Sequence, residues 1–164
     1  MKISSGVEWA AHACALLAAL PPGKGLRAEA LAAFHDLPPA YLAKQMQALS
    51  KAGLVNTNRG AKGGYRLARP VETISMWDIT AAIDGTAPAF RCSEIRQAGP
   101  CKSAPKDCKK ACPIARSFHH AETAYRDALK KVSLTMICAD VAKDYTNEKA
   151  MRFGKWLTQE MTDL

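Results

Sequence analysis

One stretch decides the fold: Tyr41-Leu-Ala-Lys-Gln-Met-Gln-Ala-Leu-Ser-Lys-Ala-Gly-Leu-Val55, followed after three intervening residues by Arg59-Gly-Ala-Lys-Gly-Gly-Tyr65-Arg-Leu67. Leu42, Met46 and Leu49 recur at helical spacing. This period predicts a helix over residues 40–52 with these three side chains facing inward. Gly53 follows directly, and glycine is a favoured residue just after a helix end. The apolar spacing therefore predicts the helix, and Gly53 predicts where it ends.

The segment after this helix predicts a β-hairpin. Residues 54–58 and 64–68 alternate in polarity as strands do, and a basic, glycine-rich tip joins them. Two further helices are predicted earlier in the chain, one from Ser5 to about Leu20 and one from about Arg27 to Phe34, each followed by a double proline that prevents its continuation. Three helices and a hairpin in this order are the layout of a winged helix-turn-helix. The predicted fold class is therefore mainly α with a small β wing.

Charge in this region has one sign. The 164-residue chain carries a formal net charge of +8, whereas the segment from Leu37 to Val71 contains no acidic residue. The basic residues of that segment are Lys44, Lys51, Arg59, Lys62, Arg66 and Arg69. A solvated surface usually mixes both signs, but a phosphate backbone favours basic side chains alone. The sequence therefore predicts that the helix and the wing bind double-stranded DNA.

The predicted DNA contacts lie on the helix and in the wing. They are Tyr41, Lys44, Gln45, Gln47, Arg59, Lys62, Gly63 and Gly64. The helix side chains could reach bases or phosphates, while Arg59 and Lys62 suit a narrow minor groove. We expect Lys62 to support binding to any sequence and Gln45 to influence sequence preference.

The rest of the chain is predicted to be helical around one irregular loop. Ser75 and Asp78 have the spacing of a capping box and begin a fourth helix, which ends at Gly85. An apolar stripe predicts a long helix from Pro113 to about Leu134. Two further helices are predicted near residues 135–142 and 147–161.

Three regions are predicted from this layout. They are a DNA-binding domain over residues 1–86, a cysteine-rich loop over 87–112, and a dimerisation helix with C-terminal helices over 113–164. The long helix lies beyond a winged helix-turn-helix domain and most economically forms the interface of a homodimer. The two-fold symmetry of such a dimer would match a palindromic operator.

Four of the six cysteines lie close together in the irregular loop. They are Cys92, Cys101, Cys108 and Cys112. In a reducing compartment such a cluster indicates a metal or redox site rather than a disulfide framework. Four thiols would permit a four-coordinate zinc ion, although Cys-x-x-Cys knuckles are missing. Cys14 and Cys138 lie in apolar helical segments and are predicted to belong to the core.

Several function classes are disfavoured. No apolar run approaches the roughly 20 residues of a membrane span. Glu8 and His12 interrupt the only stretch that resembles a signal peptide. We therefore expect a cytoplasmic protein without a membrane partner. A redox enzyme or electron carrier is disfavoured as well, since the acid-free helix and wing would then have no purpose.

The quoted stretch resembles the recognition helix and wing of the IscR/NsrR/RirA-type transcription regulators. The Arg59-Gly-x-x-Gly-Gly-Tyr65 wing, a short helix, a cysteine loop and a long helix follow each other as in that family. The resemblance covers nearly the whole chain. It implies a dimeric repressor or dual regulator with an iron–sulfur cluster, with the third helix in the major groove and the wing in the minor groove.

The cysteine spacing departs from the common three-cysteine pattern of that family, because the gaps here hold eight, six and three residues. The segments that follow resemble the redox-sensing RsrR-type branch instead: Gly6-Val-Glu-Trp9, the placement of His35, Glu94-Ile-Arg-Gln97 and Cys108-Lys-Lys-Ala-Cys-Pro-Ile-Ala-Arg116. That resemblance implies a [2Fe–2S] cluster with ligands from two chains. Cys108 and Cys112 would come from one chain, and Glu8 and His35 from the other.

The chemistry of the loop supports thiolate ligands. Cys108 and Cys112 lead into a helix whose N-terminal end favours negative charge. Basic side chains nearby would add to this effect: Lys102, Lys106, Lys109, Lys110 and Arg116. Histidine ligation of one iron is established chemistry and raises the reduction potential relative to an all-cysteine cluster.

Other sensing chemistries stay open at this point. Ligation by Cys92, Cys101 and either Cys108 or Cys112 would be closer to the common family pattern and would suit nitric-oxide or iron sensing. Zinc binding or a thiol–disulfide switch would make the same fold a different sensor.

Single residues also have structural interpretations. Ser5 and Glu8 have capping-box spacing, and His35 could simply cap or follow the second helix. Trp9 is the predicted switch residue, because its large ring must repack if Glu8 moves. The alternative role for Trp9 is to anchor the first helix in the core.

Overall fold

The structure, a computed structural model, describes residues 3–58 and 63–163. In that part of the chain, seven α-helices and one four-stranded antiparallel sheet form a winged helix-turn-helix fold, which confirms the predicted fold class. The residues divide into two compact units. The smaller unit is Thr86–Ala128, and the larger unit contains the residues on either side of it.

The helices follow the predicted order. They are α1 (Ser5–Ala18), α2 (Ala28–Phe34), α3 (Pro39–Lys51), α4 (Met76–Asp84), α5 (Pro113–Lys130), α6 (Leu134–Lys143) and α7 (Asn147–Glu160). The strands are β1 (Lys24–Leu26), β2 (Val55–Asn58), β3 (Gly64–Leu67) and β4 (Met161–Asp163). The sheet order is β2-β3-β1-β4. The strands β1 and β4 are not predicted from sequence, since three residues are too few to show an alternating pattern.

The recognition helix and the wing form as predicted. Gly53 has a φ of 69°, and its N–H and the next one donate back to α3 carbonyls at 3.0 and 2.9 Å. This closure is a Schellman motif, which requires the left-handed conformation that glycine adopts freely. It directs the chain into β2, which pairs with β3 from Val55–Leu67 to Asn58–Gly64. The hairpin tip, with residues 59–62, lies outside the described residues.

The long helix α5 is shorter than predicted. It ends at Lys130, and Ser133 caps the new helix α6 by accepting a hydrogen bond from the Met136 N–H at 3.3 Å. Serine satisfies a free helical N–H in this way and so favours a helix start. The apolar period continues across the break, so periodicity alone does not reveal it. No helix of the described ranges is both long and apolar enough to cross a membrane.

Capping at α4 confirms the sequence prediction. The Ser75 hydroxyl oxygen accepts a hydrogen bond from the Asp78 N–H at 3.1 Å, and the Asp78 carboxylate accepts one from the Ser75 N–H at 2.8 Å. Gly85 follows the helix with a φ of 81°. Each bond satisfies a backbone N–H at the helix start, where intrahelical partners are missing.

The alternative capping-box role of Glu8 is wrong. Ser5 is already helical, and Ser4 occupies the N-cap position without a side-chain capping bond. The Ser4 hydroxyl and N–H instead donate to the Asp84 carboxylate at 2.5 and 3.1 Å. This carboxylate supplies the negative charge that a helix N-terminus favours. Glu8 therefore has no capping function at the start of α1.

One hydrophobic core holds the larger unit together. The three α3 side chains predicted to face inward are fully buried. The large buried residues of this core are Leu26, Leu31, Leu42, Met46, Leu49, Leu54, Ile74, Ile79 and Leu134. Each such side chain contributes about 1.5–3 kcal/mol relative to exposure. Cys14 is buried in the core as predicted, and Cys138 packs at its edge.

The C-terminal helices α6 and α7 belong to the larger unit. The Met76 N–H donates to the Val132 carbonyl at 2.9 Å, and the Leu134 N–H donates to the Ile74 carbonyl at 2.8 Å. These bonds join the start of α6 to the start of α4. The division into a DNA-binding domain (1–86), a cysteine-rich loop (87–112) and a dimerisation region (113–164) concerns function and stays a prediction.

The smaller unit consists of the loop that precedes α5 and of α5 itself as far as Ala128. The Glu122 carboxylate accepts hydrogen bonds from Arg126 at 2.5 Å and from the Ala89 N–H at 3.2 Å. Arg126 also donates to the Thr86 carbonyl at 2.8 Å. These bonds hold the beginning of the loop against the second half of α5.

Candidate functional site

The predicted thiol ligands lie at the start of α5. Cys112 is buried directly before the helix, and Cys108 is half-buried at the end of a short 3-10 turn. Hydrogen bonds from the N–H groups of Ala115 and Ile114 lower the pKa of the Cys112 thiol, and the positive charge of Arg96 lowers it further. A lowered pKa favours the thiolate, which is the form that binds metals.

Arg96 lies close enough to Cys112 for its charge to affect the thiol, a placement that the sequence does not predict. Its guanidinium pairs with the Glu94 carboxylate at 2.5 and 2.8 Å and donates to the Lys110 carbonyl at 3.0 Å. The hydrogen bond to Glu94 raises the pKa of Arg96, and the charges of Cys108 and Cys112 also raise it. Arg96, rather than the five predicted basic side chains, is the cation that lowers the Cys112 pKa. Nothing in local sequence shows that the loop folds back to place Arg96 there.

The other two loop cysteines are more accessible. Cys92 and Cys101 are exposed free thiols. The Glu94 N–H donates to the Cys92 sulfur at 3.4 Å. Their exposure keeps both available as alternative ligands or as a redox pair.

The predicted carboxylate and imidazole ligands lie in the larger unit. Glu8 is exposed on the first turn of α1. The His35 ring follows α2 between the rings of Phe34 and His12, with centroid distances of 4.8 and 4.9 Å. Burial, and then the charge of His12, lower the pKa of His35. This direction favours the neutral imidazole, which is the form that binds a metal.

His35 also has an unsatisfied nitrogen. Its Nε2 is buried and has no hydrogen-bond partner among the residues that the structure describes. Buried polar atoms nearly always have a partner, so an unpaired one calls for a missing ligand, water or ion. A neutral histidine with an unpaired nitrogen and a thiol of lowered pKa are donors that fit an iron–sulfur cluster.

The two halves of the predicted ligand set lie in different compact units of the chain. No three histidine, cysteine or carboxylate side chains form a metal site within the described part of one chain. The prediction assigns Cys108 and Cys112 to one chain and Glu8 and His35 to another. Their assembly is therefore a property of a dimer and stays a prediction.

Trp9 connects α1 to the recognition helix α3. Its ring meets the Tyr41 ring edge to face, with centroids 6.2 Å apart. About one turn earlier, Gly6 approaches Gln45 so closely that a Cβ at Gly6 would lie 2.9 Å from the Gln45 Oε1 atom. A displacement of the first turn of α1, where Glu8 lies, would therefore act directly on α3.

The predicted DNA contacts of α3 differ in exposure. Tyr41, Lys44 and Gln47 are exposed, and Tyr41 shows 62% of its surface. Gln45 is half-buried beside α1. Tyr41, Lys44 and Gln47 are therefore accessible to a nucleic acid, whereas the side chain of Gln45 packs against Gly6 of α1.

The wing glycines are buried. A Cβ at Gly64 would lie 3.1 Å from both the Leu26 carbonyl oxygen and the Thr162 hydroxyl. Gly64 therefore has a packing role in the sheet, and Gly63 beside it is buried too. Their contact with DNA stays a prediction. The predicted contacts Arg59 and Lys62 lie outside the described residues.

The larger unit also contains a cavity of about 510 Å³. Its walls come from α1, the end of α2, α6 and α7, and they include Phe34, His35, Cys138 and Phe153. The sequence does not predict this cavity, because it forms between two N-terminal helices and two C-terminal helices that are distant from each other along the chain.

Comparisons with known proteins agree with this architecture. The family model Rrf2, described as an iron-dependent transcriptional regulator, matches residues 3–140. The HTH-type transcriptional regulator Rv1287 of Mycobacterium tuberculosis is 31% identical over 157 residues, which are 94% of this chain and 96% of the relative. The oxidized form of Staphylococcus aureus CymR has a TM-score of 0.62 at 25% identity, covering 90% of this chain and 99% of CymR. IscR of T. potens is similar in fold, with a TM-score of 0.66 at 22% identity over 93% of this chain and 96% of IscR.

Proposed function

The chain belongs to the Rrf2 family of transcriptional regulators, and we propose that it is a dimeric repressor that senses redox state through a [2Fe–2S] cluster. Its relatives are HTH-type transcriptional regulators, which confirms the prediction that the chain is not an enzyme. The proposed partners are a second copy and a palindromic operator. The proposed compartment is the cytoplasm, which keeps free thiols reduced.

The contact between Trp9 and Tyr41 carries the sensing proposal. Glu8, the proposed ligand, is the chain neighbour of Trp9, and the Trp9 ring packs on the recognition helix at a centroid distance of 6.2 Å. Packed side chains move between discrete arrangements rather than deforming continuously. A shift at Glu8 would therefore change the position of Tyr41, which is exposed on the proposed DNA-binding face.

The proposed ligand residues have complementary tasks. Cys112, with the pKa of its thiol lowered by α5 N–H groups and by Arg96, provides a thiolate beside Cys108. Glu8 and His35 of the other chain would complete the set and so connect the starts of α1 and α5 across the dimer. A bound [2Fe–2S] cluster supplies a one-electron redox couple. The resulting change in charge would alter the hydrogen bonds and packing of these four side chains.

The ligand assignment is tested by substitution. We expect Glu8→Ala and His35→Ala to abolish the visible absorbance and the bound iron of anaerobically purified protein. Cys101→Ala serves as the matched change in the loop and should retain both signals. The reverse result, with loss at Cys101 and retention at Glu8 and His35, would establish three-cysteine ligation in place of the proposed set.

The sensing function has its own test. Operator affinity should differ by at least several-fold between oxidised and anaerobically reduced protein, because coupling between sites is commonly worth about 1–3 kcal/mol. Equal affinity in the two states would end the redox proposal and leave the DNA-binding assignment intact.

A thiol-based or zinc-based regulator is the second candidate function. Cys92 and Cys101 are exposed free thiols, and CymR, which is similar in fold, has an oxidized form of known structure. A colourless protein that contains zinc, or one that forms a Cys92–Cys101 disulfide on oxidation, would favour this candidate. A pink-brown solution with visible absorbance bands would favour the cluster.

A further inference from the structure

The cavity between α1, α2, α6 and α7 takes no part in the proposed DNA contacts, and His35 is the one proposed cluster ligand in its wall. The residues that line it all belong to the larger unit. Its volume of about 510 Å³ lies within the roughly 300–1,000 Å³ of small-molecule sites. The apolar residues of the wall are Ala15, Leu16, Ala18, Ala19, Phe34, Val141, Ala142 and Phe153. Removing apolar surface from water is favourable, so this wall favours a ligand with an apolar body.

Three aromatic rings form a contiguous part of the wall. Phe153 meets Phe34 and Tyr145 edge to face, with centroid distances of 5.9 Å in both pairs. The Trp156 ring packs against Phe34, with centroids 4.4 Å apart, and helps to hold it in place. Aromatic rings favour edge-to-face and offset-stacked neighbours over other arrangements. A flat aromatic ring is therefore the apolar body that this wall accommodates best.

Lys149 gives the cavity a positive charge. Its Nζ atom lies 4.3 Å from the centroid of the Tyr145 ring, and both residues line the cavity. This cation–π contact holds the ammonium group at the wall. Lys149 is exposed whereas Phe34 and Phe153 are half-buried, so the charge lies toward solvent. Among the described residues of the wall, Lys149 is the one lysine or arginine, and none is an aspartate or glutamate. The charge of the wall therefore favours an anion.

We propose that this cavity binds a small aromatic carboxylate, with its ring beside Phe34, Tyr145 and Phe153 and its carboxylate at Lys149. The site goes beyond the proposed function and does not rest on it, since the cavity is formed by one chain alone. At the solvent side the carboxylate would keep part of its hydration, which limits the cost of binding a charge. An exposed ion pair contributes little free energy. The rings therefore supply most of the affinity, and Lys149 selects the charge of the ligand.

Two fluorescent dyes with the same rings test the charge of the ligand. The dye 1-anilinonaphthalene-8-sulfonate is an anion, and N-phenyl-1-naphthylamine is the same molecule without the anionic group. In titrations of full-length, cluster-free protein, each should bind at one saturable site per chain. Lys149→Met should weaken binding of the anionic dye by about two- to fivefold, as expected for an exposed ion pair, and leave the neutral dye unaffected. Lys155→Met, an exposed change on α7 outside the cavity wall, should affect neither dye.

Cavity-filling substitutions test the position of the site. Ala142 on α6 and Ala19 at the end of α1 are exposed residues that line the cavity, whereas Ala139 is exposed on α6 outside it. Ala142→Trp and Ala19→Trp should each raise the dissociation constant of both dyes at least about tenfold, because an indole ring occupies the space that the ligand needs. Ala139→Trp should leave both constants unchanged. Circular dichroism of the three variants verifies that each is folded, and two filling variants from different helices keep the test valid if one of them is not.

Thermal unfolding with 1-naphthoate, an aromatic carboxylate, provides a second measurement. A ligand that binds the folded chain raises the unfolding midpoint. We expect this rise in wild-type and Ala139→Trp protein but not in Ala142→Trp. The site is overturned if wild-type protein shows no saturable dye binding, or if binding persists in both folded filling variants. The assignment of an anionic ligand is overturned if Lys149→Met weakens both dyes equally or neither of them.

Discussion

At the scale of single residues, Cys112 and Arg96 show how a thiolate is favoured before any metal arrives. The N–H groups at the start of α5 donate to the sulfur, and Arg96 adds a positive charge whose position is held by Glu94 and by the Lys110 carbonyl. A preorganised charge needs little reordering when a ligand binds. The loop sequence therefore matters for the acidity of Cys112 as well as for its position.

Replacing Arg96 should make Cys112 a weaker acid. In metal-free Arg96→Gln protein the pKa of the Cys112 thiol should rise toward its ordinary value, because a cation that stabilises the thiolate has been removed. The midpoint of the alkylation rate against pH, followed for the Cys112 peptide by mass spectrometry, should then move to higher pH. Arg91→Gln, an exposed change in the same unit, is the control. An identical midpoint in the Arg96 and Arg91 variants would exclude this role.

Local sequence reveals only some of these residues. The capping box of Ser75 and Asp78 is predictable because both partners lie within one helical turn. The bond between Ser4 and Asp84 and the placement of Arg96 near Cys112 are not predictable in this way. They depend on how distant segments fold back, and no short pattern encodes that.

At the scale of elements, the contact between α1 and α3 is the proposed route from the ligands to DNA. Trp9→Ala should retain the cluster, since Glu8 is unchanged, but should reduce the redox dependence of operator affinity to less than about twofold. The ring contact with Tyr41 is the physical reason. Trp9→Phe keeps an aromatic ring and should preserve part of the dependence. Fluorescence anisotropy with oxidised and reduced protein measures the operator affinity of both variants. If Trp9→Ala kept the wild-type redox dependence of affinity, Trp9 would not be part of the route.

The stability of the protein should depend on the lack of a side chain at Gly64 in the sheet. A Cβ there would lie 3.1 Å from the Leu26 carbonyl oxygen, so Gly64→Ala should lower the free energy of unfolding by about 1–3 kcal/mol through overpacking. Gly154→Ala is the matched control, because a Cβ at Gly154 in α7 meets open space. It should instead stabilise the protein by about 0.5–1 kcal/mol, since alanine favours a helix over glycine. Urea denaturation distinguishes these opposite signs, and equal changes would contradict the packing role.

The elements that the sequence predicts are those with a local start or spacing pattern and a glycine that marks their end. α3 combines apolar spacing with Gly53, and α4 combines a capping box with Gly85. By contrast, β1 and β4 are three residues each, and they form because two segments of the larger unit that are distant along the chain pair with each other, from Lys24 with Asp163 to Leu26 with Met161. Their formation depends on tertiary contact rather than on local preference.

At the scale of the whole molecule, the basic segment and the exposed apolar and thiol side chains lie in different units of the chain. The acid-free region lies in the larger unit, whereas the exposed apolar side chains Ile114 and Phe118 and the loop thiols lie in the smaller one. Composition predicted the nucleic-acid partner because charge sums over many residues without regard to detailed geometry. The cavity required four helices in place and so was beyond any sequence pattern.

The number of phosphate contacts should be readable from the salt dependence of operator binding. Lys44 is exposed on α3 within the acid-free segment, whereas Lys155 is exposed on α7. Lys44→Gln should weaken binding to specific and non-specific DNA alike and reduce the slope of log K against log[salt] by about two, one contact for each chain of the dimer. Lys155→Gln removes the same charge from the chain and should leave the slope unchanged. If the slope decreased equally in both variants, net charge alone would attract the DNA. If the slope were unchanged in Lys44→Gln, Lys44 of α3 would make no phosphate contact.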